Sequence, residues 1–230
     1  MSVNSSRNGL KPQENTVISV QVGTTFEQLS TDSYCINPQQ LADYEALLHS
    51  LEAQGHFPTQ LVHCWSVTQN EPDDVFERTD LALQQGFYSL LYLIQALGKS
   101  DVIRPVEVTV ISNQMQAVTD ADWLQPEKAT LLGAVKTIGM EASHIQCRSL
   151  DIALPLDIKA LGLELQTPIK ESIVAYRQGQ RWTQSTKKSN GVPANNFSST
   201  RVPVTLGANT CAEISLSLFA MSAPSGTPAA

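Results

Sequence analysis

The sequence predicts an α/β fold: a doubly wound, mostly parallel sheet with helices on both faces, followed by a low-order C-terminal tail. Three observations carry this expectation. Short β-branched runs alternate with helical apolar stripes up to about residue 185. The intervals between those runs are long enough for crossover helices, which parallel strands require. Beyond residue 185 the composition changes: only Lys187, Lys188, Arg201 and Glu213 are charged, and Ser, Thr, Ala, Asn and Pro dominate.

Thr16 to Val22 reads as a first strand, and Asn37-Pro38 as the cap and first turn of a helix. Leu41, Tyr44, Leu48 and Leu51, spaced by 3, 4 and 3, form its apolar stripe. Gly55 and Pro58 end it, and Gln60 to Val67 is a second strand. After an acidic loop with Glu71, Asp73 and Asp74, a long helix runs from Val75 to Leu97. Leu83, Phe87, Leu90, Ile94 and Leu97 mark its inner face, Tyr88 and Leu91 extend its apolar surface, and Gly98 caps its end.

Pro105 to Ile111 is a third strand, and a helix starts at Pro126 with Leu131, Leu132, Val135 and Ile138 inward. Ile145 to Ile152 is a fourth strand, Leu161 to Leu165 lies in a short helix, and Glu171 to Tyr176 is a last strand. Gln178-Gly179 suits a hairpin turn that returns Arg181 to Thr183 alongside it. This succession describes a Rossmann-like architecture, with an N-terminal remnant over 1–15, a domain over 16–185 and a tail over 186–230.

Charge excludes some functions. The chain has 15 Lys and Arg against 22 Asp and Glu, a formal net charge of −7. Nucleic acids and anionic membranes reward clustered positive charge, and the longest basic run is Lys187-Lys188. No stretch has the apolar length of a membrane span, and the first residues lack the apolar core of a signal peptide. A cytoplasmic location is the expectation. Cys35, Cys64, Cys147 and Cys211 are isolated and read as free thiols in a reducing compartment.

The motifs of several chemistries are missing. A dinucleotide cradle needs glycines in the first strand-to-helix turn, and the turn after Val22 holds only Gly23. Neither GxGxxG nor GxxxxGK[ST] occurs. A tyrosine-based reductase needs a lysine four residues on, and Tyr34, Tyr44, Tyr88, Tyr92 and Tyr176 are followed there by Pro38, Leu48, Tyr92, Ala96 and Gln180. No GxSxG elbow is present. His63 and Cys64 are adjacent in a strand and face opposite sides, so they form no dyad. His49 and His56 are a weak pair for metal, and the acidic loop lacks the ligand spacing of a calcium loop. Trp65, Trp123 and Trp182 read as core anchors. The expectation is therefore no catalytic, cofactor-binding or metal-binding residue.

Several segments, in order, resemble one family. These are Thr16 to Phe26, Tyr34 to Pro38, Asp43 to Leu48, Leu61 to Trp65, Gln85 to Leu97, Val108 to Val118, Lys128 to Ile152 and Glu171 to Trp182. Over roughly residues 9–184 the chain resembles the structural subdomain of the ketoreductase domain of type I modular polyketide synthases. That resemblance implies a degenerate Rossmann-like half that binds no cofactor and supports a catalytic half. The catalytic half would carry NADPH and the Ser, Tyr and Lys that reduce a β-ketoacyl thioester. The partners it implies are that catalytic subdomain and other synthase domains; the acidic charge balance speaks against nucleic acid and membrane as partners.

The chain departs from the family pattern at both ends. Strands and a helix that normally precede the Val17 strand are reduced to Leu10 to Glu14, and no glycine-rich strand turn comes after Trp182. The expectation is a truncated subdomain: a split or decayed gene, or one piece of a larger assembly. Loss of the first strand would leave an open sheet edge, through which the chain would oligomerise or recruit its catalytic half. Two other readings stand beside this one. One is a stand-alone interaction module that uses the open edge and tail. The other is a small-molecule or nucleotide-binding enzyme on the same fold.

Overall fold

The computed structural model describes residues 15–70, 72–100, 104–155, 157–186, 195–199 and 218–224. The strands are β1 (Asn15–Val22), β2 (Glu27–Gln28), β3 (Ser33–Ile36), β4 (Gln60–Ser66), β5 (Val106–Asn113), β6 (Ile145–Ile152), β7 (Ile173–Arg177), β8 (Gln180–Thr186), β9 (Asn195–Ser199) and β10 (Leu218–Pro224). The helices are α1 (Leu41–Ala53), α2 (Val75–Ala82), α3 (Ser89–Lys99), α4 (Thr130–Glu141) and α5 (Ile158–Gln166).

One ten-stranded sheet runs β2-β3-β1-β10-β4-β5-β6-β7-β8-β9. β3 is parallel to β1, and β4 to β7 form a continuous parallel block. The expected α/β class is thus observed, with the sheet mixed where hairpins and β10 join it. The Gln178-Gly179 turn is a tight one, with φ of 52° and 72°, and it sets Arg177 opposite Gln180.

The main core lies between one sheet face and α1, α3 and α4. Ile18, Val20, Leu61, Val108 and Val110 meet Leu47, Leu51, Leu90, Leu93, Leu131 and Val135 there, all buried. A smaller cluster on the other face joins Ile111, Leu150, Ile152 and Val174 to Leu161 and Leu165 of α5. α4 and α5 therefore lie on opposite faces, although β5, β6 and β7 succeed one another across the sheet. The two crossovers have opposite hands, and one departs from the right-handed rule.

Several sequence expectations shift locally. α1 begins at Leu41 rather than Pro38, because the Asn37 side chain accepts from Gln39 N at 3.0 Å and makes a turn of its own. The long second helix contains a π-type turn over Leu83–Tyr88. The extra residue rotates the helical turns beyond it, so Leu90, Leu93 and Leu97 are buried while Tyr88 and Leu91 are exposed. Gly98 lies within α3, and Ser100 ends it. Gly86 in the π turn is buried, and a β-carbon there would stand 3.0 Å from Ser66 Oγ. Trp65 is a core residue, whereas Trp123 is exposed.

β3 was not expected from the sequence, being only four residues long. Two segments of 186–230, the stretch expected to be a low-order tail, carry strands β9 and β10, Thr186 ends β8, and 187–194, 200–217 and 225–230 lie outside the described residues. Most of the N-terminal stretch 1–15, including Leu10 to Glu14, lies outside them too, as do Cys211 and Glu71.

β10 changes the expected location of the gap. The usual doubly wound order is 3-2-1-4-5-6, with the first strand central. Here β3-β1 takes the place of 3-2, β4-β5-β6 takes that of 4-5-6, and β10 occupies the first position. The Val17 strand is therefore the second of the winding. The first-strand position lies inside the sheet, not at an open edge, and β10 fills it antiparallel to both neighbours.

Candidate functional site

Doubly wound sheets bind ligands outside the carboxyl ends of their parallel strands, where the strand order reverses. In this chain that region is built from four strand ends and the segment after β5. Strand geometry dictates which groups arrive there: β4 ends near Thr68, β5 at Asn113, β6 at Asp151-Ile152 and β7 at Arg177.

Asp151 is fully buried. Its carboxylate accepts from Arg177 Nη2 at 2.6 Å, from Gln116 N at 3.0 Å and from Met115 N at 3.2 Å. Arg177 spends its other donors on Asp122 Oδ1 at 2.7 Å, Gln116 O at 2.9 Å and Asp151 O at 3.2 Å. The second Asp122 oxygen takes Val118 N and Thr119 N, both at 2.8 Å. Burial alone would raise the Asp122 carboxyl, but these backbone donors and Arg177 outweigh it and hold the group below the usual range. Residues 114–122 are thereby laced across the ends of β6 and β7.

A second knot closes the ends of β4 and β5. Asn113 Nδ2 donates to Thr68 O at 2.7 Å, and Asn113 Oδ1 accepts from Thr68 N at 3.1 Å. Buried Lys128 donates to Thr68 Oγ1 at 2.7 Å and Asn113 Oδ1 at 2.8 Å. A third network pins α5 to the opposite sheet face. Arg148, 1% exposed, donates to Glu164 Oε1 at 3.1 Å, Glu164 O at 2.9 Å and Thr109 Oγ1 at 2.9 Å. Tyr176 OH and Arg181 Nε both reach Glu164 Oε2, at 2.7 and 2.8 Å.

These clusters follow no catalytic spacing in the sequence. The signal was present: Arg148 and Asp151 sit inside an apolar strand pattern, and a charge so placed is buried and needs a partner. The identity of each partner depends on the fold, 16 residues away for Glu164 and 26 for Arg177.

Features that grip phosphate elsewhere are used otherwise here. Gly23 leads into β2 and β3 rather than a helix. Its N–H donates to Ile36 O at 2.7 Å, and an added β-carbon would lie 2.0 Å from Cys35 Sγ. The lone glycine thus serves close packing against β3. The N-termini of α2 and α5 are capped by carboxylates: Asp74 accepts from Phe76 N and Glu77 N, and Asp157 from Lys159 N and Ala160 N. At the first-strand position, antiparallel β10 presents its beginning to this edge, where a cofactor fold would place a strand-to-helix turn.

The other sequence-flagged residues are dispersed. His63 is fully buried, 2.7 Å from Ser89 Oγ and edge-on to Trp65, and burial pulls its pKa down to about 4. Cys64 and Cys147 are free, and burial pushes both thiols up to about 12. His49 is exposed and His56 half-buried. Among the described residues no group of three His, Cys, Asp or Glu side chains could hold a metal, and no helix is long and apolar enough to cross a membrane. A cleft of about 290 Å³ lies beside the β6 and β7 ends, lined by Ile152, Leu154, Pro155, Leu161, Tyr176 and Gly179 among others.

Fold and site together define a doubly wound α/β domain whose parallel strand ends are bridged by buried ion pairs. The family model described as beta-ketoacyl synthase-like, N-terminal matches residues 3–176, and the chain belongs to that family. Among solved structures, it is similar to the adenylation, ketoreductase and pseudo-Asub multidomain structure of a keto acid-selecting NRPS module. The identity is 26% and the TM-score 0.65, covering 76% of this chain and 16% of that one. It also shares its fold with an N-terminal ketoreductase from the macrolactin assembly line, at 16% identity and TM-score 0.57, over 83% of this chain and 36% of the other. The chain thus spans well under half of either structure. No curated protein matches it.

Proposed function

We propose that this chain is a non-catalytic structural subdomain that braces the catalytic half of a ketoreductase in a polyketide-type assembly line. One observation carries the reading. The first-strand position and the strand ends beside it, where a related fold would hold a cofactor, are occupied by β10 and by the Asp151–Arg177–Asp122 and Lys128–Asn113–Thr68 knots. Buried, mutually bonded groups serve rigidity and register, and Asp151, Arg177 and Asp122 are held in one another's hydrogen bonds rather than poised as acid or base. The likeness to multidomain structures that contain ketoreductases supports the same context.

In this reading NADPH and the reducing Ser, Tyr and Lys belong to the partner half, and the acyl chain reaches that half on a carrier domain. The test has two arms. Titration of the purified chain with NADPH, monitored by nicotinamide fluorescence, should show no saturable binding. Mixing it with a ketoreductase catalytic half should give a co-eluting complex with a higher melting temperature than either component. Reduction of a β-keto thioester by this chain alone would overturn the proposal.

A further inference from the structure

α2 is built without a core residue: none of its side chains is buried. It is held by its cap and by one side chain. Asp74 accepts from Phe76 N and Glu77 N, both at 2.9 Å. Arg78 donates to Glu127 Oε1 at 3.0 Å, to Asp73 O at 2.9 Å and to Pro72 O at 3.2 Å. The ion pair sets the start of α2 beside the segment that leads into the Pro126–Ala129 turn.

Four large apolar side chains stand outward on these two segments. Phe76 is 81% exposed and Trp123 63%, and Val75 and Leu124 are exposed as well. An exposed apolar cluster with a polar rim marks an interaction surface. The rim here has one sign. Over 72–82 and 117–127 the acids are Asp73, Asp74, Glu77, Asp80, Asp120, Asp122 and Glu127, against Arg78 as the single base. Arg78 is half-buried and engaged with Glu127, whereas Asp73, Asp74, Glu77, Asp80 and Asp120 are exposed.

We infer that this patch is a docking surface for a cationic amphipathic segment of another protein, which sets apolar residues on Phe76 and Trp123 and Lys or Arg side chains against the surrounding carboxylates. The apolar side chains supply the area to be buried, and aromatic residues of this kind carry much of the energy of protein interfaces. The charge names the occupant. Nucleic acids and anionic membranes carry the sign of the rim and are repelled by it. A polypeptide bearing lysine or arginine is steered toward it and held in register by it. The inference rests on the exposure and charge of α2 and of the Trp123-Leu124 step, and stands whether or not the chain braces a ketoreductase.

The test uses the full chain and a fluorescein-labelled helical peptide of leucine and lysine, with leucine on one face and lysine on the other. Fluorescence anisotropy should show saturable binding that weakens as salt rises. Phe76→Ser with Trp123→Ser should weaken it by about tenfold or more. Glu77→Gln with Asp80→Asn should weaken it too and flatten its salt dependence. All four side chains are exposed, so both variants should melt as the wild type does. Met140→Ser with Glu141→Gln, an exposed apolar and acidic pair on α4, should leave binding unchanged. The inference is overturned if no saturable binding is seen, if both patch variants bind like the wild type, or if the peptide binds equally well with glutamate in place of lysine. Partition of the chain onto phosphatidylglycerol vesicles would overturn it. So would a wild-type dimer that the Phe76 and Trp123 changes abolish in sedimentation, since a second copy would then be the occupant. A patch variant that melts well below the wild type would overturn it as well, because its side chains would then be holding the fold.

Discussion

Arg177 Nη2 stands 2.6 Å from Asp151 Oδ2, and the contact joins the last residue of β7 to a fully buried carboxylate in β6. Removing the cation leaves that carboxylate uncompensated, the costly case among buried pairs. Arg177→Met should destabilise the fold by about 3–5 kcal/mol, read from urea denaturation with tryptophan fluorescence. Asp122→Asn, at the partly exposed end of the same chain of contacts, should cost markedly less.

Gly23 and Cys35 define a second contact. A β-carbon at residue 23 would lie 2.0 Å from Cys35 Sγ. Gly23→Ala should cost about 1–3 kcal/mol through overpacking. Cys35→Ala in the same chain should restore most of it, because the sulfur is the obstacle. Non-additivity in a double-mutant cycle is the measurement, and additive losses would refute the packing role.

Stability should fall with acidity before most carboxylates titrate. His63 has a folded pKa of about 4 against 6.5 for the free side chain, and burial is the cause. Between those values the unfolded chain binds a proton that the folded chain refuses, so stability is full above pH 6.5 and drops as pH falls. The linked loss from pH 7 to pH 5 is about 2 kcal/mol. His63→Leu should flatten that segment of the curve, measured as denaturation midpoint against pH.

The β7–β8 turn offers a stabilising change. Gln178 adopts φ 52° next to Gly179 at 72°, a conformation that asparagine accepts more readily than glutamine. Gln178→Asn should raise stability by about 0.5 kcal/mol, seen as a higher melting temperature. Gly179→Val should lower it, since a β-branched residue resists positive φ.

Much of the fold was legible in the sequence because period and punctuation are local. The Ile145–Ile152 strand was read with its observed bounds, and the Gln178-Gly179 turn was placed by two residues alone. The burial phase of α3 was not legible, because the π turn over Leu83–Tyr88 shifts it without altering the apolar composition. Nor were the ion-pair knots: Arg148 and Asp151 announce buried charge, but nothing local names Glu164 or Arg177 as partner.

By itself the sequence determined the alternation of strands and helices, the acidic balance and the want of a glycine-rich cradle, all properties of neighbouring residues. Tertiary structure decided that α5 crosses on the opposite face, that charged side chains bridge the strand ends, and that β10 stands within the sheet between β1 and β4. The physical reason is range. Periodicity is written within a few residues, whereas a buried charge or an unfilled strand position is satisfied by whatever group the completed fold brings near.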